Sequence, residues 1–177
     1  MGHIFLIVWK FRELLINFSA SLNIAQLCAD NSIPYVFTST DLVLDGIKGF
    51  YKETDKVNQV NIYGEHKVMA EVGILTRYPQ AAICRMPLMF GNATPTSASF
   101  VQSFLKTLQE GKVLKLFVDE FRTPVSALTA AEGLLLAAQK VRGIIHLGGK
   151  ERISRYDFGH LLVDIFEIPA AKIHNNI

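Results

Sequence analysis

Two residues four apart, Tyr63 and Lys67 in the run Tyr63-Gly64-Glu65-His66-Lys67, are of types that move protons together. At helical spacing they project from one face, one turn apart. An ammonium beside a phenol stabilises the phenolate and lowers its pKa, which makes the tyrosine a usable proton donor or acceptor near neutral pH. The same spacing also suits a half-buried Tyr with a Lys laid along the surface. Upstream, Tyr35-Val36-Phe37-Thr38-Ser39-Thr40-Asp41 reads as a buried strand that ends in three consecutive hydroxyls. Parallel α/β sheets place ligands at the carboxyl ends of their strands, so hydroxyls there face a site, unless they serve local capping. A third run, Arg85-Met86-Pro87-Leu88-Met89-Phe90-Gly91-Asn92, leaves a strand end with Pro and Gly. It fits either the wall of the same cleft or a rigid bend.

These runs must be positioned by the elements between them. Short β-rich apolar runs alternate with longer stretches of helical spacing, the pattern of βα units around a parallel sheet. The spacing predicts helices over 13–30, 57–77, 99–109, 126–141 and 154–166, and strands over 35–39, 81–85, 113–118 and 143–147. Ser126 and Ser154 are suited to helix N-caps, the latter in a Ser154-Arg155-Tyr156-Asp157 run of capping-box spacing. Residues 40–56, with Gly46, Gly49, Asp41, Asp45 and Asp55, form a polar loop too long to be a mere turn. No repeat and no linker divides the chain.

Composition narrows the classes. Half of the 177 residues are apolar and 19% are charged, which excludes disordered and low-complexity architectures. Eighteen Lys and Arg against sixteen Asp and Glu leave a formal charge of +2, without a basic cluster to bind nucleic acid. The apolar head Ile4-Phe5-Leu6-Ile7-Val8-Trp9 is too short to span a bilayer and lacks the marks of a signal peptide. Two cysteines, Cys28 and Cys84, are too few for a disulfide framework and favour a reducing, cytoplasmic setting. The five histidines show no metal-ligand spacing, so no metal site is expected. Neither a GxSxG elbow nor a P-loop is present. Asp119, Glu120 and Arg122 read as a surface loop.

Five blocks in order, YVFTSTDLVLDG (35–46), YGEHKVMAE (63–71), RMPLMFGN (85–92), FVDEFRTPV (117–125) and GIIHLGGKERISRYDFG (143–159), resemble the extended short-chain dehydrogenase/reductase superfamily. Within it they are most similar to the dTDP-4-dehydrorhamnose reductase-like group. The resemblance implies reduction of a 4-keto nucleotide sugar by NADP or NAD in its reduced form. It makes Tyr63 the catalytic acid, and Lys67 the residue that holds the nicotinamide ribose and tunes the Tyr. Thr40 becomes the hydroxyl that bonds the substrate oxygen, with Ser39 as its nearest substitute. It further implies cofactor contacts from Tyr63, Lys67, Arg85, Met86 and Leu88, and substrate contacts from Thr40, Asp41, Asn92 and Arg122. Asn17 falls on a helix that carries a structural or cofactor-side residue in the family.

The expected fold is therefore α/β: a partial NAD(P)-binding Rossmann-like parallel sheet with helices, plus a substrate-binding C-terminal part. The family opens with a glycine-rich turn that receives the cofactor pyrophosphate. Here Gly2 is followed by no glycine until Gly46, so the first βα units are expected to be missing. Residues 1–16 read as an atypical head or remnant, and 17–177 as a single domain joining the distal Rossmann-like and substrate-binding parts. The expected partner is a nucleotide sugar, with no nucleic acid and no membrane, and with a homo-oligomer or partner protein open. The competing expectation is an inactive fragment, or a non-catalytic binding relative like the regulatory subunits of methionine adenosyltransferase.

Overall fold

The computed structural model describes residues 14–91, 99–168 and 172–176. The apolar head and Asn92 lie outside them. The chain divides into two compact units, Met1–Met86 with Ala131–Leu147, and Pro87–Ala130 with Gly148–Ile177.

In the first unit a π-helical turn, Leu15–Ala20, runs into α1 (Ser21–Asp30). β1 (Val36–Thr40) follows, then a 3-10 turn (Asp41–Val43), the long loop, and α2 (Ile62–Arg77). α2 begins later than the spacing predicts because Asn61 caps it, accepting a hydrogen bond from the Gly64 N–H at 2.7 Å. β2 (Ala82–Met86) is buried along its whole length. It pairs in parallel with β1 on one side, and on the other with the strand Gly143–His146. A strand buried on both faces needs a continuous apolar run, and Ala82-Ile83-Cys84 supplies it. The core beneath is Leu22 and Ala25 of α1, Phe37, Ala70 and Ile74 of α2, Ala81 and Ile83.

Cys84 is fully buried there, and its thiol is pushed up to about 11 by burial. A raised native pKa contributes stability below the ordinary thiol pKa that is lost as pH rises through about 11. The stability advantage of the native chain over Cys84→Ala should therefore narrow between about pH 9 and 11 in denaturant titrations. In the native state at lower pH, half-buried Cys28 should react first with a thiol reagent.

The second unit holds β3 (Met89–Phe90), α3 (Phe100–Gln109), β4 (Leu114–Phe117), β5 (Phe121–Arg122) and β6 (Val125–Ser126). α4 (Ala127–Lys140) starts here and leads into the first unit's β7 (Gly143–His146). β8 (Ile153–Ser154), α5 (Arg155–Ile165) and β9 (Ile173–Asn176) complete the second unit. Both predicted caps form: Ser126 Oγ accepts from the Thr129 N–H and Ser154 Oγ from the Asp157 N–H. Its core is Leu108, Leu114, Leu116, Val163 and Ile173.

The α/β class expected from the sequence is borne out, with one correction. The predicted strand 113–118 does not extend the sheet of the other three. As β4 it pairs in parallel with β9, which the polar tail Ile173-His174-Asn175-Asn176 gave no reason to expect. The described parallel sheet thus has order β1-β2-β7.

Candidate active site at the carboxyl end of the sheet

Backbone geometry at the end of β1 brings the first turn of α2 close. Thr40 leaves the strand extended and caps the 3-10 turn, its Oγ1 accepting from the Leu42 N–H at 3.2 Å. The same hydroxyl lies 3.4 Å from Asp41 Oδ1. Gly64 packs so closely on this turn that a Cβ there would lie 2.5 Å from the Leu42 carbonyl oxygen. A side chain would have to push two backbones apart. Gly64→Ala should therefore cost about 1–3 kcal/mol in a denaturant titration, and an unchanged midpoint would show that the contact is not close.

That approach sets Tyr63, 38% exposed, beside the Thr40-Asp41 turn, with Lys67 one helical turn deeper and buried. The Lys67 ammonium donates to the Thr38 carbonyl at 2.8 Å and stands 4.6 Å from the Phe37 ring centroid and 5.6 Å from that of Tyr63. The expected lowering of the phenol pKa is not seen. Burial and the Asp41 carboxylate hold Tyr63 above the usual phenol range, while the Lys67 ammonium is drawn to a strand carbonyl. Tyr63 is thereby kept protonated, the state a proton donor needs. Lys67 itself is pushed down by burial and partly held up by Glu71.

Behind the pair lies a polar row, buried at Ser39 and Arg85 and half-buried at His146, that follows from strand register. Ser39, Arg85 and His146 are neighbours across β1, β2 and β7. Glu71, two turns along α2 from Tyr63, reaches this row. Its Oε1 accepts from Ser39 Oγ at 2.5 Å and from Arg85 Nε at 3.0 Å, and its Oε2 from Arg85 Nη2 at 2.7 Å. Arg85 Nη1 lies 3.3 Å from His146 Nε2 and can only donate, so that ring nitrogen is the acceptor. The His146 backbone N–H donates to Glu53 at 3.0 Å, tying the long loop to β7 and holding the Glu53 carboxyl below the usual carboxylate range.

The first unit thus gathers Tyr63, Lys67, Thr40, Asp41, Arg85 and Met86. Met86 is buried and paired in register with Thr40. The Arg85 guanidinium is engaged by Glu71 and His146, and its carbonyl accepts from the Leu147 N–H at 3.0 Å, so the residue is held within the sheet. Leu88 and Arg122 belong to the second unit, and Asn92 lies outside the described residues. Arg122 sits 3.8 Å from Glu120, a carboxylate it shares with Arg155 at 3.1 Å. Asn17 is half-buried in the π-helical turn. Sequence reasoning missed Glu71. The available signal was an acid at i+8 from Tyr63 on the same helix face, between the buried Ala70 and Ile74, with an arginine in an otherwise apolar strand.

Among the described residues, no group of three or more His, Cys, Asp or Glu gathers to hold a metal, and no helix is long and apolar enough to cross a membrane.

A parallel Rossmann-like sheet, with a Tyr and a Lys one turn apart at the carboxyl end of its strands, defines the class of the short-chain reductases and their relatives. Residues 10–175 match the RmlD substrate binding domain, and the chain belongs to that family. It is 31% identical over 166 residues to the probable low-salt glycan biosynthesis reductase Agl14 of Haloferax volcanii, covering 92% of this chain and 55% of that protein. It is 30% identical over 146 residues to methionine adenosyltransferase 2 subunit beta of Danio rerio, covering 78% and 45%. The structure superposes on the dTDP-4-dehydrorhamnose reductase of Clostridium acetobutylicum with a TM-score of 0.83 at 26% identity, covering 90% and 56%. It also shares the fold of the Bacillus anthracis dTDP-4-dehydrorhamnose reductase in complex with NADP, with a TM-score of 0.83 at 18% identity, again covering 90% and 56%. The chain spans about half the length of the relatives it matches.

Proposed function

We propose that the chain carries the proton-donating half of an NAD(P)H-dependent reductase acting on a 4-keto nucleotide sugar. The observation that carries this reading is the placement of Tyr63 and Lys67 at the carboxyl end of β1, with Thr40 and Asp41 alongside. The donor set fits a nicotinamide nucleotide. The Lys67 ammonium uses one N–H on Thr38 and has two further donors of the kind a ribose diol accepts. The NADP held by a reductase of the same fold points the same way. Bound there, the cofactor would supply hydride. Tyr63, kept protonated by its surroundings, would give its proton to the oxygen being reduced, and Lys67 would hold positive charge beneath the phenol as that proton leaves. The Thr40 hydroxyl, whose oxygen accepts from the Leu42 N–H, would turn its proton from Asp41 Oδ1 to that oxygen. Within the first unit, Met86 and Arg85 are proposed on the cofactor side and Asp41 on the substrate side. Free thiols at Cys28 and Cys84 and a nucleotide-sugar substrate suit a cytoplasmic protein.

A second reading, a binding subunit without redox turnover, is favoured by the likeness to methionine adenosyltransferase 2 subunit beta. The two separate in one assay that follows NADPH consumption with dTDP-4-keto-6-deoxy sugar as oxidant. Substrate-dependent consumption supports the reductase. NADPH that binds but is not consumed supports the binding subunit, and neither binding nor consumption rejects the nicotinamide site.

A further inference from the structure

Tyr63, Lys67 and Glu71 stand at i, i+4 and i+8 and share one face of α2, but only Glu71 reaches across to two strands. Both carboxylate oxygens are bound by the sheet. Glu71 and Arg85 are 3% and 4% exposed. A buried ion pair of this kind is seldom a net gain over apolar side chains of the same volume, so stability alone does not account for it. What the pair does fix is geometry. Three hydrogen bonds leave one rotation and one height of α2 relative to β1 and β2.

We propose that Glu71 is a positioning residue: held by Ser39 and Arg85, it locks α2 onto the sheet so that the Lys67 ammonium meets the Thr38 carbonyl beneath Tyr63. This rests on the reading of Tyr63 and Lys67 as the reductase pair, but its test needs no cofactor. The titratable and charged groups of this network are Tyr63 and Glu71 on the Lys67 helix, Asp41 on the turn after β1, Arg85 on β2 and His146 on β7; the same helix also carries Glu65, the buried His66 and Arg77. Of these, Glu71 is the one whose charge partly offsets the burial that pushes the Lys67 amine down.

The test is the titration of the Lys67 amine, followed in the full chain by 15N-lysine NMR or by pH-dependent acylation mapped to Lys67. It compares the native chain with Glu71→Gln and with the double variant Glu71→Leu/Arg85→Met, which removes both charges together. The Lys67 midpoint should move to lower pH in both variants, with faster acylation at a fixed pH. In the native chain the midpoint should be the same at low and high salt, because a buried partner is poorly screened. A folded double variant whose Lys67 titrates as in the native chain overturns the proposal. If neither variant folds, the salt series decides: a midpoint that follows salt would assign the field to solvent-accessible groups such as half-buried Asp41 and overturn the role of Glu71. Loss of NADPH binding with the Lys67 shift intact would reject the reductase reading and leave the Glu71 assignment standing.

Discussion

Replacing Tyr63 by Phe should leave NADPH affinity largely unchanged and lower turnover of a 4-keto nucleotide sugar by about 10²- to 10⁴-fold, the usual worth of a positioned general acid. The substitution removes one oxygen and keeps the ring that the Lys67 ammonium faces at 5.6 Å. The Asn61 cap on the Gly64 N–H and the close approach of Gly64 to Leu42 are both backbone contacts and survive it. Because burial and Asp41 hold the phenol above its ordinary range while burial pushes the Lys67 amine below its own, the alkaline fall in activity should follow the loss of the Lys67 charge or the ionisation of Tyr63, whichever comes first. The loss of rate should appear in kcat. Steady-state kinetics on native and variant chains check this, and retained turnover in Tyr63→Phe would remove Tyr63 from the role of acid.

The largest effect on stability should come from Arg85→Ala. It takes the bidentate partner from the Glu71 carboxylate, 3% exposed, leaving it the Ser39 hydroxyl and the field of Lys67, and leaves His146 Nε2 without its donor. Breaking a buried pair by deleting one member costs about 3–5 kcal/mol, a large part of the stability of a domain this size. Glu71→Leu/Arg85→Met should be milder, since neither charge of the pair is left without the other and the Lys67 amine can lose its proton. Equilibrium unfolding of the two chains side by side reads the difference. Equal destabilisation would mean that packing around the pair, and not its charge, sets the cost.

Much of this was legible in the sequence because it is local. The Tyr63–Lys67 pair follows from helical spacing, and the Ser126 and Ser154 caps from residue type at helix starts. The hydroxyls at the end of β1 follow from a β-rich run that stops at polar residues. What escaped was set by partners distant in the chain. The run Leu114–Phe117 is visibly a strand, but nothing in it says that it pairs with Ile173–Asn176 instead of the sheet of β2. Two-residue strands such as Phe121–Arg122 are too short to show a period. Arg85 was legible as a polar residue in a buried strand, and a strand of Ala, Ile and Cys around it signalled that its charge needed a partner. The identity of that partner depended on how α2 lies over β2. The direction of the Tyr63 pKa was misjudged for the same reason: spacing puts Lys67 near the phenol, but the Thr38 carbonyl takes the ammonium.

A nicotinamide nucleotide held at the carboxyl end of β1 and the first turns of α2 is detected by calorimetric titration of NADPH into the native chain and into Lys67→Met. Saturable binding to the native chain is expected, clearly weakened in Lys67→Met at unchanged fold. Absence of a saturable signal up to millimolar NADPH, or equal affinity in both chains, would contradict it.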